Sequence, residues 1–187
     1  QYTSANWASA CGRWLVKLIN RCTENLVMPL FIVLGYIICV VLTVMMLLRL
    51  WKITGKFSAV AITVVLVASP AIIEHFTYMY MALAFGVSLL LSTLYVYIIS
   101  MGRSICSVAI GAVCIAIALG GYQSYIGSAV GLVIMTLIIQ AVHKQIDKQW
   151  VIVLMRYFIG GVVGCGLYWG IMTLDIKYFN NGYTASR

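Results

Sequence analysis

Six long apolar runs constrain this chain more than any other feature. They cover roughly residues 28–48, 57–73, 76–100, 105–121, 126–142 and 150–174. Each run is about 17–25 residues long, enough for a helix to cross about 30 Å of hydrocarbon at 1.5 Å per residue. Within lipid, a membrane-spanning segment must form all its backbone hydrogen bonds inside the protein, which only helices and closed β-barrels do. The alternating pattern of a barrel strand is absent from these runs. The sequence therefore predicts an all-α, polytopic membrane protein with about six transmembrane helices.

The composition supports this fold class and limits the chemistry. Of the 187 residues, 64% are hydrophobic and 9% are charged, whereas a soluble domain is nearer half apolar and a quarter charged. Any carboxylate chemistry within this chain must use one of its four acids, Glu24, Glu74, Asp147 and Asp175. The six cysteines form no CxxC pair and have no histidine at metal spacing. Cys39, Cys114 and Cys165 lie inside apolar runs, and Cys11 and Cys22 would be about 16 Å apart on a helix. We therefore expect no metal site and no disulfide within the chain. We also expect no cofactor.

The basic residues predict how the runs cross the membrane. Lys and Arg occupy the first, third and fifth connections, at Arg49, Lys52, Lys56, Arg103, Lys144 and Lys148, with Arg156 just beyond. The second and fourth connections carry neither residue type. The positive-inside rule then places the odd connections in the cytoplasm. The second and fourth connections and both ends of the chain are expected to face outside.

An outer N-terminus without a signal peptide, and a first residue that is not Met, predict that a further span precedes Gln1. We accordingly expect a fragment of a larger fold, with a parent chain longer at both ends. Its expected parts are an outer-face loop over 1–27, a six-helix domain over 28–174 and an outer-face segment over 175–187.

Residues 12–25 differ from the six runs, because basic residues recur at every fourth position. The row consists of Arg13, Lys17 and Arg21, and the other side carries Trp14, Leu15, Leu18, Ile19 and Cys22. This pattern predicts a short amphipathic helix that lies on the outer membrane surface. The basic row either anchors the helix to lipid headgroups or binds an anionic substrate group, such as the phosphate of a lipid-linked donor.

Further candidate site residues gather at the outer ends of the runs. Glu74 and His75 follow Pro70 on a short turn, where they either line a site, with Glu74 in acid–base work, or serve as a loop charge and a helix cap. Tyr122 and Gln123 offer ring faces and neutral hydrogen-bonding groups that suit a sugar, or belong to an interfacial aromatic belt. Asp175 either lines the same face or ends the sixth helix.

Three pairs of glycines have the spacing that lets helices pack closely. They are Gly127 and Gly131, Gly160 and Gly164, and Gly166 and Gly170. We predict helix contacts at each pair.

Three outer-face segments carry a family resemblance: NWASACGRWL before the first run, PAIIEHFTY between the second and third, and GGYQSYIG after the fourth. Together they resemble the serotype-converting O-antigen glucosyltransferases, which are bacterial inner-membrane enzymes of the GT-C type. The resemblance covers most of the chain. It implies that a hexose, expected to be glucose, is transferred from a polyprenyl-phosphate carrier to a lipid-linked O-antigen on the periplasmic side. The partners would be this donor, an oligosaccharide or polysaccharide acceptor and membrane lipids, without nucleic acid.

The resemblance also assigns site residues. It implies that Arg13 lies near the donor phosphate and that Glu74 and Gln123 line a periplasmic cavity. It further implies an acidic pair before the NWASACGRWL segment, which QYTSAN lacks, so we expect that pair upstream of Gln1. We predict Glu74 as catalytic and Arg13 and Lys17 as donor-phosphate ligands, with a cavity lined by His75, Tyr122, Gln123 and Asp175.

Two other functions remain open from the sequence. A transporter or flippase of lipid-linked sugars predicts polar residues at several depths, which the runs lack. A non-catalytic membrane scaffold predicts no outer cavity and no effect of changes at Arg13 or Glu74.

Overall fold

The chain folds into a bundle of α-helices in a computed structural model that describes residues 11–23, 29–68, 79–102, 104–143 and 148–179. Every regular element within these ranges is helical. In chain order they are α1 (Trp14–Thr23), α2 (Pro29–Leu50), α3 (Lys56–Val67), α4 (Met79–Met101), α5 (Ile105–Gly121), α6 (Tyr125–His143) and α7 (Lys148–Phe179). The predicted all-α membrane fold is confirmed.

The six apolar runs become the six helices α2 to α7, with bounds close to those predicted. Four of these helices are long and apolar enough to cross a membrane, over Leu30–Leu50, Met81–Met101, Tyr125–Val142 and Gln149–Lys177. The other two helices are shorter: α5 has 17 residues and α3 has 12. The last five residues of the run predicted at 57–73 lie outside the described residues.

Glycines let the long helices approach one another. Gly86 of α4 lies against Tyr36 and Cys39 of α2, and Gly164 of α7 lies against Ala112 and Ile115 of α5. Helices in lipid associate through such close packing, since burying apolar surface there brings little gain. The helices α2, α4, α5 and α7 therefore pack side by side, and α6 lies against α4.

Only one of the three predicted glycine pairs contacts another helix in the described part of the chain. The predicted contact at Gly160 and Gly164 is confirmed, since added Cβ atoms there would meet Ile99 and Ile115. The predicted contacts at Gly127, Gly131, Gly166 and Gly170 are wrong for the described part of the chain, where nothing lies within 4 Å of an added Cβ atom. Spacing places two glycines on one helix face, but it does not determine whether another helix covers that face.

One end of the bundle brings the residues that follow α2 and α4 together with α6 and α7. The Trp51 indole donates to Thr136 Oγ1 at 3.2 Å. Arg156 donates to the carbonyl oxygens of Gly102 at 2.5 Å and Ser104 at 2.9 Å, and also to Ser107. Residues 122–124 and α1 lie at the opposite end. This grouping agrees with the alternation predicted for the first, third and fourth connections, whereas residues 69–78 and 144–147 of the other two lie outside the described residues.

The predicted amphipathic helix forms as α1, but Lys17 of its basic row is buried. Val16 is 1% exposed and Lys17 is 7% exposed, whereas Leu18 is 54% exposed. Trp14 packs against Gly120, and Leu15 lies near Gly121 at the end of α5. The buried face consists of Leu15, Val16 and Lys17, so it includes only part of the apolar side expected from the sequence, because α1 rests on the ends of α4 and α5. The side chains of Arg21 and Cys22 are outside the described part.

Alanine at Gly164 is expected to destabilise the bundle. The new Cβ atom would lie 2.8 Å from the Ala112 carbonyl oxygen and would also meet Ile115, so α5 and α7 would have to separate. Overpacking of this kind costs about 1–3 kcal/mol. Gly127→Ala is the matched control, because its Cβ atom meets nothing within 4 Å and alanine favours the helix. Thermal unfolding in detergent compares the two variants, and an equal effect of both would contradict this packing.

Candidate functional site

The Arg13 guanidinium lies over the face of the Tyr122 ring, with its Cζ atom 4.5 Å from the ring centroid. Tyr122 directly follows α5 in an extended conformation, which carries its side chain out of the helical path. Its ring is held edge-on by Phe85 at 5.2 Å and by Tyr125 at 6.3 Å between centroids. A cation above an aromatic face is attracted by the ring quadrupole, so this arrangement holds the positive charge at a defined position.

Lys17 and Asp175 form an ion pair that joins α1 to α7. The Lys17 Nζ and Asp175 Oδ1 atoms are 3.4 Å apart, and the two side chains are only 9% and 16% exposed. The sequence predicted that the sixth apolar segment ends at residue 174, but α7 continues to Phe179. Asp175 therefore projects from a helix, and its position relative to Lys17 is fixed by the packing of α7.

A network of hydrogen bonds fastens the turn that precedes α1. The Gln123 side-chain amide donates to the Cys11 carbonyl oxygen at 2.7 Å and to the Tyr168 hydroxyl at 2.8 Å. The Tyr168 hydroxyl in turn donates to the Gly12 carbonyl oxygen at 3.2 Å. Gly12 has a φ of +74°, which favours glycine. An added Cβ atom there would lie 2.5 Å from the Tyr168 hydroxyl oxygen, so the turn also needs glycine for space.

We call the group formed by Arg13, Lys17, Tyr122, Gln123, Tyr168 and Asp175 the cationic site. It brings together all the predicted site residues that the structure describes. The predicted residues Glu74 and His75 lie outside the described residues. Every member of the site lies at the end of the bundle that carries α1.

Tyr168 is the member that sequence reasoning missed. It lies within an apolar run, where a tyrosine resembles any interfacial or core aromatic residue. One signal was present, because Tyr168 and Asp175 are seven residues apart and two helical turns place them on the same face. A polar residue on the same face as a candidate acid would have been a reason to include it.

The cationic site can bind an anion beside a polar, aromatic surface. Arg13 and Lys17 carry two positive charges and Asp175 one negative charge, which leaves a net positive charge among these residues. Tyr122, Gln123 and Tyr168 add a ring face and neutral donors and acceptors. Within the described ranges, no group of three His, Cys, Asp or Glu side chains could hold a metal ion.

The fold and this site define a helical membrane protein with a cationic, aromatic site at one end of its bundle. The profile of the family described as Glucosyl transferase GtrII matches residues 2–187. The chain belongs to this family of serotype-converting O-antigen glucosyltransferases. It is therefore a glycosyltransferase, and its class acts in O-antigen modification. No curated protein and no solved structure matches the chain.

The ion pair makes a stability prediction that a double-mutant cycle can test. Lys17→Met leaves the Asp175 carboxylate in a largely buried place without its partner, and Asp175→Asn does the same to the Lys17 ammonium. We expect each single variant to lower the free energy of unfolding, and the double variant to lose less than the sum. The expected coupling is about 0.5–3 kcal/mol. Denaturant unfolding measures it, and additive effects would contradict a direct pair.

Proposed function

We propose that this protein transfers a glucosyl residue from a polyprenyl-phosphate carrier to O-antigen on the periplasmic face, with the cationic site binding the donor phosphate. The observation that carries the proposal is the placement of Arg13 on the Tyr122 ring, 4.5 Å from its centroid, at the same end as the largely buried Lys17. The membership of the chain in a glucosyltransferase family supports the reaction class.

The leaving group explains why two cations are useful here. Cleavage of the bond between the sugar and the phosphate leaves negative charge on the phosphate oxygens. Cations that are already fixed in place stabilise that charge without the reorganisation that bulk water would require. Arg13 is suited to two parallel hydrogen bonds with phosphate oxygens, and Lys17 acts as a point charge. A polyprenyl phosphate is anchored in the membrane, so its phosphate lies at the level of helix ends such as those around this site.

The sugar and the acceptor need different partners. Tyr122 offers a ring face to a hexose, and Gln123 and Asp175 offer groups for its hydroxyls. The acceptor hydroxyl requires a base, which we assign to Glu74, with His75 lining the same cavity. Supporting this assignment, α4 begins at Met79, and Met81 belongs to the same core cluster as Val16 of α1. The five residue-to-residue steps from Glu74 to Met79 can span at most about 17 Å.

The distribution of charge supports a periplasmic cationic site. Arg49, Lys52 and Lys56 are exposed, and they lie at the first connection, at the end of the bundle opposite to α1. Cytoplasmic loops carry an excess of Lys and Arg. With that end in the cytoplasm, the cationic site faces the periplasm of the bacterial inner membrane.

Sugar transfer by the full-length protein in membranes tests the proposal. With a polyprenyl-phosphate glucose donor and an oligosaccharide acceptor, Arg13→Ala is expected to lower the rate about 10²- to 10³-fold, because a fixed stabilising group is removed. Glu74→Gln is expected to lower it at least a hundredfold, since a general base is lost. Arg49→Ala is the matched control and is expected to transfer at the wild-type rate, because Arg49 is exposed at the opposite end.

Two outcomes would contradict the proposal in different ways. Full transfer by both Arg13→Ala and Glu74→Gln would remove the site assignment while leaving the reaction intact. No transfer by the wild-type protein with intact donor and acceptor would remove the reaction. Movement of the labelled donor between leaflets in that case would identify a flippase.

A further inference from the structure

Tyr168 occupies a central place in the cationic site, although it lies in the sixth apolar helix. Its hydroxyl accepts a hydrogen bond from Gln123 at 2.8 Å and donates one to the Gly12 carbonyl oxygen at 3.2 Å. We propose that Tyr168 is a positioning residue that holds Arg13 in place for the donor phosphate. This inference rests on the proposed function, because it concerns the donor of the same reaction.

The geometry links both partners of the Arg13 and Tyr122 contact to one hydroxyl group. Gly12 directly precedes Arg13, and Gln123 directly follows Tyr122. The Tyr168 hydroxyl bonds to Gly12 and to Gln123, and Gln123 also donates to the Cys11 carbonyl oxygen at 2.7 Å. The Tyr168 hydroxyl therefore bonds to the backbone of the residue before Arg13 and to the side chain of the residue after Tyr122. Loss of the hydroxyl would remove both of its bonds and leave the direct bond from Gln123 to Cys11 as the remaining link in this network.

A role in positioning differs from a role in packing. Gln123 is exposed, so water can replace the Tyr168 hydroxyl as a partner, and the helix bundle does not depend on this bond. Tyr157 provides the contrast, because its hydroxyl donates to the Val96 carbonyl oxygen at 3.0 Å within the buried bundle. Phenylalanine at 157 should weaken the bundle, whereas phenylalanine at 168 should loosen only the turn before α1.

The protein contains its own reporter of that turn. Cys11 is a free, half-buried thiol in the turn, and Cys106 is a free, exposed thiol at the other end of the bundle. A looser turn exposes Cys11 more often, so its reaction with a maleimide should accelerate. Cys106 reacts independently of the turn and serves as an internal reference in the same sample.

The test compares Tyr168→Phe with the matched control Tyr157→Phe in the full-length protein. N-ethylmaleimide labelling of the detergent-solubilised protein, followed by peptide mass spectrometry, gives the rate at Cys11 relative to Cys106. Transfer assays with a polyprenyl-phosphate glucose donor give kcat/KM for the donor and KM for the acceptor. For Tyr168→Phe we expect a higher Cys11 to Cys106 ratio, a donor kcat/KM lower by roughly five- to tenfold, and an unchanged acceptor KM. For Tyr157→Phe we expect an unchanged ratio and unchanged donor kinetics.

The outcomes separate this inference from the proposed function. Wild-type donor kinetics in Tyr168→Phe would overturn the positioning role while the reaction stands. Equal losses for donor and acceptor in both variants would overturn it as well, since they would indicate general loosening of the bundle. Inactivity of the wild-type protein would overturn the proposed function and the donor role together. A raised Cys11 ratio in Tyr168→Phe would still establish that the hydroxyl holds the turn.

Discussion

Lipid offers no hydrogen bonds to a polar side chain, and this constraint organises the molecule. Each backbone group must be satisfied within its own helix, so apolar helices fill the middle of the chain. Among the residues that the structure describes, charged groups lie near the ends of the bundle. Arg49, Lys52 and Lys56 lie at one end, and Arg13, Lys17 and Asp175 lie at the other. The cationic site lies at a bundle end because a charged side chain in the hydrocarbon region would lose its hydration.

Two contacts across the bundle give this end a defined shape. The pair of Lys17 and Asp175, 3.4 Å apart, joins α1 to α7. The Tyr168 hydroxyl joins α7 to the turn before α1 and to Gln123. The helix α1 therefore packs as part of the bundle, and Arg13 lies between the Tyr168 contact at Gly12 and the Asp175 contact at Lys17.

The sequence allowed the helices to be predicted well, because an apolar run about 20 residues long has one stable structure in lipid. It also allowed most of the cationic site to be predicted, since polar and aromatic residues at the ends of such runs are few. The sequence did not allow us to predict which side chains pair with each other. Lys17 and Asp175 are 158 positions apart, and nothing local joins them. The sequence predicted the helix α1, but it did not predict that contact with α4 and α5 would bury Val16 and Lys17.

Side chains inside the apolar runs were the hardest to assign. Tyr168 belongs to the cationic site, while its neighbour Trp169 is 68% exposed. In the sequence both are aromatic residues of the same apolar run, and nothing local distinguishes them. The glycines show the same limit, because Gly164 packs against α5 while Gly127, with equal spacing, faces open space. Which face of an apolar helix meets protein and which meets lipid depends on the whole bundle.

The central claim is that the cationic site binds the donor phosphate. An experimental structure of the full-length protein with polyprenyl-phosphate glucose tests it most directly. We expect phosphate oxygens within about 2.7–2.9 Å of the Arg13 guanidinium nitrogens, the usual length of a charge-assisted hydrogen bond. Lys17 should lie beside the same group, with the sugar next to Tyr122. A donor phosphate bound at the opposite end of the bundle, or with no contact to Arg13 and Lys17, would contradict it.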